Sequence, residues 1–297
     1  MSISTFALIA ALATIPVSQD AEPRVETRSE VRIVTSGGPD GPGRLDADED
    51  GFVTREEFVA PLATAFDRLD DIRPRLVLYR GAVVAREGKP AFETEVTIPG
   101  ELLHTVHVAP LALEYLQLPA EPKMTAVGAI PGQIVTRKLE VEPKVVNGLA
   151  VADPERDLLK LVVVERHRAT GRVGVGLVQG FGLERGALAS SIAHDAHNIV
   201  AVGVSDEDLL LAIGTVAEMQ GGLAAVADGQ VLATLPLPVA GILSPEPLEK
   251  VAAAYERVEE AARSLGSTVP APFALLSFMA LSVIPEARVT DRGLVVL

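Results

Sequence analysis

The chain contains no cysteine and no tryptophan, and it has only eight phenylalanines and three tyrosines among 297 residues. The missing thiols exclude disulfide staples, thiolate zinc sites and a cysteine nucleophile together. Scarce aromatic rings mean that a core must be packed from Ala, Val, Leu and Ile, which suits layered sheets and helices. Positive charge is also short, with 26 Lys and Arg against 40 Asp and Glu and a formal net charge of -14. Neutralising phosphates requires clustered bases, so a nucleic-acid partner is disfavoured. Long apolar runs are lacking as well. The opening "MSISTFALIAALATIPVSQDAEP" holds about a dozen mostly apolar residues, too few to span a bilayer. It fits the core of a signal peptide over residues 1–20, although no Lys or Arg precedes it; a retained N-terminal helix is the alternative. No transmembrane segment is expected.

Nearly half of the residues are apolar (48%), enough for real cores in one large domain or two to three smaller ones. "SGGPDGPG" at 36–43 is too rich in Gly and Pro for helix or central strand and reads as a loop. From Pro74, "RLVLYRGAVVAREGKP" reads as strand, turn and strand. The stretch to about residue 150, with "TVHVAPLAL", "MTAVGAI" and "GQIVTRKLEV", is strand-like and punctuated by prolines. In the later half, "ATGR" links two Val-rich runs as a hairpin would. "NIVAVG" reads as a strand, and Ser205 caps a helix with Asp206, Glu207 and Asp208 in its first turn. Gly221 and Gly222 close that helix, and "ADGQ" turns a further hairpin. A last long helix starts near Pro247, with Leu248, Val251, Ala252 and Tyr255 on one face and Gly266 past its end. The fold class is therefore α/β: a layered α/β domain with a mixed sheet over residues 151–297, preceded by a small β-rich segment at 73–150. A short helical, EF-hand-like region occupies 21–72.

"DADEDGFVTREE" places Asp46, Asp48 and Asp50 at positions one, three and five of a twelve-residue loop. Gly51 takes six, Phe52 seven, Thr54 nine and Glu57 twelve. Calcium wants six to eight oxygens: the carboxylates supply charge, the Phe52 carbonyl one ligand, Thr54 a water-bridged one and Glu57 a bidentate clamp. The loop resembles an EF-hand loop, with a weak affinity of roughly 0.1 to 1 mM as in extracellular modules. The preceding "GGPDGPGR" cannot form the usual entering helix, while "REEFVAPLATAFDRLDD" can form the exiting one, so half a hand is expected; a solvated acidic turn is the alternative.

"AHDAHN" at 193–198 sets His194 and His197 around Asp195, with Ser190 and Ser191 upstream and Asn198 after. Two histidines and one acid offer at most a partial metal site. Ordinary polar-turn chemistry, satisfying backbone groups before a buried strand, is the plainer reading. Glu165, Arg166 and His167 imply no triad, since alternate strand residues face opposite ways, and a surface ion pair is expected there. His104 and His107 are read as structural. The glycines of "GRVGVGLVQGFG" lie in a predicted hairpin rather than at a strand-to-helix turn, so they carry no dinucleotide reading.

Three long stretches point to one family: "VVVERHRATGRVGVGLVQGFGLERGALASSIAHDAHNIVAVGVSDEDLLLAI", "GGLAAVADGQVLATLPLPVAGILS" and "PFALLSFMALSVIPEARVTDRGLVVL". From about Asp71 onwards the chain resembles the bacterial adenine deaminases of the amidohydrolase superfamily, which convert adenine and water to hypoxanthine and ammonia. The resemblance covers the portion that follows the catalytic barrel. It implies a divalent metal, manganese or iron, held by barrel residues that include a His-x-His pair. This sequence has no His-x-His; its histidines are His104, His107, His167, His194 and His197. Coordination is what lowers the pKa of water from about 15.7 towards 7, so the chain alone is expected to be inactive. A separate barrel or self-association are the implied partners, and adenine the implied substrate. Ser190, Ser191, His194, Asp195, His197 and Asn198 are then candidates to face the pocket at the barrel's mouth. The alternatives are a non-enzymatic module that binds calcium and a partner or purine, and a chimeric chain joined near Leu69 to Arg73. The resemblance implies a cytoplasmic location, and the leader a secreted or periplasmic one.

Overall fold

Where a strand alternates side chains between two faces and every position is apolar, both faces must be covered. That condition is met in "LLKLVVV", Leu158–Val164, whose seven residues are all buried. A computed structural model describes residues 76–87, 89–91 and 97–297. The leader-like segment and the calcium-type loop lie outside the described residues.

Residues 76–90 contribute three strands to a small antiparallel sheet of their own: β1 (Leu76–Tyr79), β2 (Ala82–Arg86) and β3 (Lys89–Pro90). The turn predicted at Arg80-Gly81 joins the first two, both residues lying at positive φ. This sheet belongs to a separate compact unit from the rest of the chain.

The larger unit contains β4 (Met124–Ala129), β5 (Thr136–Val141), β6 (Lys144–Val146), β7 (Leu149–Val151), β8 (Leu158–Val164), β9 (Val173–Gln179), β10 (Ala187–Ser190) and β11 (Ile199–Gly203). Helix α1 (Asp206–Glu218) follows, then β12 (Gly222–Ala227), β13 (Gln230–Pro236), α2 (Leu248–Ser264), the short α3 (Pro272–Leu276), β14 (Ala287–Thr290) and β15 (Gly293–Val296). Eight strands form one mixed sheet in the order β13-β12-β10-β11-β8-β9-β4-β5. Its pairings are antiparallel except that of β4 with β9, which is parallel. The sheet draws on residues 124–141 as well as 158–236 and so crosses residue 150.

Period-two alternation sorts the core into two layers. Leu159, Leu161 and Val163 of β8 and Val200 and Val202 of β11 pack with α2, α3 and β14. Val162, Val164, Ile199 and Ala201 pack on the other face with Leu209, Ala212, Ile213 and Val216 of α1. Lys160 is the polar exception on that face. Its ammonium donates to both Asp206 oxygens (2.7 and 2.8 Å) and to the Leu116 carbonyl (2.8 Å), which compensates a charge that is only 2% exposed.

Local chemistry sets the connections. The Ser205 hydroxyl accepts from the Asp208 amide to cap α1. Asp228 and Gly229 take φ of 54° and 72°, the geometry of a tight type I′ hairpin, to join β12 and β13. Two readings of the sequence are corrected. "TVHVAPLAL" forms no strand: residues 103–112 are irregular and end in a 3-10 turn at Leu113–Leu116. Leu248, expected on the buried face of α2, is 71% exposed, because the helix turns Ala254, Val258 and Ala262 inwards. Among the described residues, no helix is long and apolar enough to cross a membrane.

The glycines of β9 have a packing reason. A Cβ on Gly174 would lie 1.8 Å from the Thr290 carbonyl oxygen, and one on Gly176 2.6 Å from a Val289 methyl, so the β14–β15 hairpin lies directly on backbone. Gly174→Ala is expected to lower the free energy of urea unfolding by about 2 kcal/mol or more. Gly214→Ala, in α1 with open space around the new methyl, is expected to raise it by up to about 1 kcal/mol.

Candidate functional site

One end of the large sheet gathers four loops. β8 ends there and β9 begins, β10 ends and β11 begins, β12 starts, and β13 runs out towards Gly241. The candidate residues of 190–198 sit in the middle of this cluster.

Ser190 and Ser191 are fully buried, and both hydroxyls are committed to backbone. Ser190 Oγ donates to the Ile192 carbonyl (3.1 Å) and accepts from the Ile192 amide (2.9 Å). Ser191 Oγ donates to the Gly241 carbonyl (2.6 Å) and accepts from the Gly222 amide (2.7 Å), fastening the β13 exit to the start of β12. The sequence places these serines at a polar turn, and the structure shows them acting as its stitches.

Beyond them the chain makes a turn over 194–196 before β11. The His194 amide donates to the Ser277 carbonyl (2.8 Å), and its ring stacks on Phe278 at 4.8 Å between centroids. His197 lies edge-on to His194 at 5.5 Å. Its Nδ1 accepts from the Ala193 amide (3.3 Å), which leaves the proton of the neutral ring on Nε2. Burial, reinforced by His194 and Arg166, pushes the His197 pKa below its ordinary value and favours that neutral form. Asp195 is exposed.

The residues that hold this turn come from the β8–β9 loop. Arg166 is 2% exposed; its Nε donates to the His197 carbonyl and Nη2 to the Ala240 carbonyl (3.3 Å), while Nη1 has no partner. Burial lowers its pKa. A Cβ on Gly241 would come within 2.4 Å of Arg166 Nη1, so a glycine is required where the guanidinium passes. His167 Nε2 lies 2.7 Å from the Ala196 carbonyl and donates to it. Glu165 is 4% exposed and accepts from the amides of His167 (2.6 Å), Arg168 (2.8 Å) and Thr170 (3.0 Å) and from the Thr170 hydroxyl (2.8 Å). Burial alone would raise its pKa, but these bonds, those of Thr170 foremost, outweigh burial and bring it down to about 2.

The expected surface ion pair of Glu165 and Arg166 is thus not found: both are buried, and among the described residues neither joins an ion pair. Glu165, Arg166 and His167 lie in the loop beyond β8, where strand alternation does not apply, and the first two bond to backbone groups where a salt bridge was expected. Sequence reasoning missed Arg166 and Glu165 as architects of the site. The signal for them was the loop "ERHRATGR" itself, where an acid precedes several free amides in a tight turn.

Between the β8–β9 loop, Ala196, Asn198 and the β14–β15 turn lies an open cleft of about 440 Å³. His167, Arg168, Asn198, Asp291 and Arg292 are among its polar lining. Of the six sequence-predicted residues of this segment, Asn198 lines the cleft. Among the described residues, no three His, Cys, Asp or Glu are placed to hold a metal ion. The stacking of His194 on Phe278 and the engaged Nδ1 of His197 agree with that.

Comparison with known proteins gives this geometry a context. Residues 133–297 match the family described as Adenine deaminase C-terminal domain. The chain is 47% identical over 228 residues to an adenine deaminase of Dehalococcoides mccartyi strain BAV1, a match covering 76% of this chain and 40% of that protein. It is 44% identical over 232 residues to "Adenine deaminase 2" of Carboxydothermus hydrogenoformans, covering 77% and 41%. A third, from Brucella abortus, is 48% identical over 173 residues, covering 58% and 30%. The chain therefore spans well under half the length of these relatives.

Because Glu165 titrates at about 2 in the folded chain and near 4.5 when unperturbed, its stabilisation is complete above pH 4.5 and drains away as pH falls through 2. Glu165→Gln is expected to lose roughly 2 kcal/mol at pH 7, less than the full shift implies because the loop rim is open to solvent. In urea unfolding followed at several pH values, the gap between variant and wild type should narrow steadily below pH 4.5. A gap independent of pH would contradict the assignment.

Proposed function

Since the chain belongs to the adenine deaminase C-terminal domain family, we propose that it supplies one wall of an adenine deaminase pocket, with the turn of His194, Asp195, His197 and Asn198 facing the substrate. The observation that carries this reading is the clamping of that turn from three sides: Ser277 holds His194, Arg166 holds His197 and His167 holds Ala196. A loop so fixed at the end of a rigid sheet can present polar groups without reorganising. The buried serines sit behind it as its fastening.

Converting adenine and water to hypoxanthine and ammonia requires a water molecule made nucleophilic near neutral pH, which the family's manganese or iron provides when bound. The residues present here do not fit such an ion: the described residues hold no ligand cluster, and the sequence has no His-x-His. The partner this reading requires is therefore an amidohydrolase barrel bearing those ligands. This chain's share is to orient the purine and exclude bulk solvent. The purified chain, supplied with manganese or iron, is expected to release ammonia from adenine no faster than buffer does. Adenine should nonetheless shift the ring-proton NMR lines of His194 and His197. Sustained turnover by the chain alone would overturn the need for a barrel, and ring lines blind to adenine would remove this turn from the pocket.

A second property rests on the sequence. We propose that Asp46, Asp48, Asp50, the Phe52 carbonyl, Thr54 and Glu57 bind calcium, since every typed position of the loop is filled. Calorimetric titration of the full chain is expected to show a dissociation constant of roughly 0.1 to 1 mM, abolished by Asp46→Ala with Glu57→Ala. Heat unchanged in that double variant would refute it.

A further inference from the structure

Two hydrogen bonds between Ala193 and His197 close the turn that carries His194 and Asp195. The His197 amide donates to the Ala193 carbonyl (2.6 Å), and the Ala193 amide donates to His197 Nδ1 (3.3 Å). The first joins backbone groups and is indifferent to pH. The second needs the lone pair of an imidazole nitrogen, which an imidazolium no longer has. Ala193 is buried, and a buried donor that loses its acceptor is costly.

The groups around the His197 ring work in the same direction. His194 lies edge-on at 5.5 Å between centroids on the same turn. From the β8–β9 loop, Arg166 brings a guanidinium whose Nε donates to the His197 carbonyl, and His167 a second imidazole. Each of the three opposes a positive charge on His197. Asp195 favours one, but it is exposed and screened by water. The stretch 272–284, on which His194 stacks through Phe278, and the β13 exit over 237–243 bring no charged residue. Burial and these neighbours together hold the His197 pKa below its ordinary value of 6.5.

We propose that the turn is an acid-released latch. A proton arriving on His197 Nδ1 removes the acceptor that closes the turn and sets a cation beside Arg166 and His194, so the charged ring is accommodated only when the turn opens towards solvent. An open turn lets the ring titrate at its ordinary value, and a closed one holds it lower. Closure is therefore fully favoured above pH 6.5 and weakens as pH falls from 6.5 towards the lowered value, by at most about tenfold per pH unit for one proton. Release is confined to the turn, because neither the Ser191 bonds to Gly222 and Gly241 nor the buried layers of β8 depend on a histidine. The latch is independent of what the turn faces, and so of the pocket-wall reading.

Amide hydrogen exchange on the full chain, read by NMR as protection relative to the unstructured rate at each pH, tests it. Between about pH 7.5 and about pH 5 the Ala193 and His197 amides of wild type are expected to lose roughly three- to tenfold in protection, while Val162 in β8 keeps its own. His197→Asn supplies a carboxamide oxygen as acceptor and does not titrate, so its two amides should stay protected at both pH values. His197→Ala has no acceptor and should leave Ala193 unprotected at both. Constant protection in wild type would overturn the latch, as would survival of Ala193 protection in His197→Ala. A pH-dependent loss in His197→Asn would move the titrating group elsewhere and overturn it equally. Loss at Val162 in step with Ala193 would mean general acid unfolding, which the latch does not survive.

Discussion

A strand with no exposed residue dictates the rest of this molecule. All seven positions of β8 are buried, and so are all five of β11 beside it. Each face of that pair needs its own apolar cover, which α1 provides on one side and α2, α3 and the β14–β15 hairpin on the other. Lys160 could have broken the scheme, since a cation inside an apolar layer is tolerated only when fully compensated. It is kept because Asp206, the first residue of α1, and the Leu116 carbonyl meet it there.

The same pair fixes where chemistry can occur. Antiparallel neighbours bring the end of β8, the end of β10, and the starts of β11 and β12 to one edge of the sheet. Loops collected there are bonded to one another by side chains reaching backbone: Glu165 gathers the amides of its own loop, Arg166 reaches His197 and Ala240, and Ser191 joins Gly222 to Gly241. The result is a polar rim anchored to a packed scaffold, the usual arrangement when a loop must keep its shape in the presence of a ligand.

Much of the fold was legible in local pattern. The Val-rich runs around "ATGR", the cap at Ser205, and the Asp228-Gly229 turn each depend on residues a few positions apart, and each stands where it was read. What escaped depends on distant partners. The parallel docking of β4 on β9 joins Ala126 to Leu177, a pairing no local signal announces. The glycines of β9 gain their meaning from Thr290 and Val289, more than a hundred residues onward. At the site, "AHDAHN" could be singled out from residue types alone. The buried state of Glu165 and Arg166 could not, because an acid beside a base on a strand end looks like a surface pair until the amides and carbonyls around it are known.

The parallel contact also bears on how the chain assembles. During synthesis the β4–β5 hairpin leaves the ribosome before β9, its parallel neighbour in the sheet, has been made. Until then the Met124 to Val141 ribbon lacks that neighbour and leaves both of its outer edges unpaired. Such a segment is the natural target for a chaperone, and for a mistaken strand exchange with a second nascent copy.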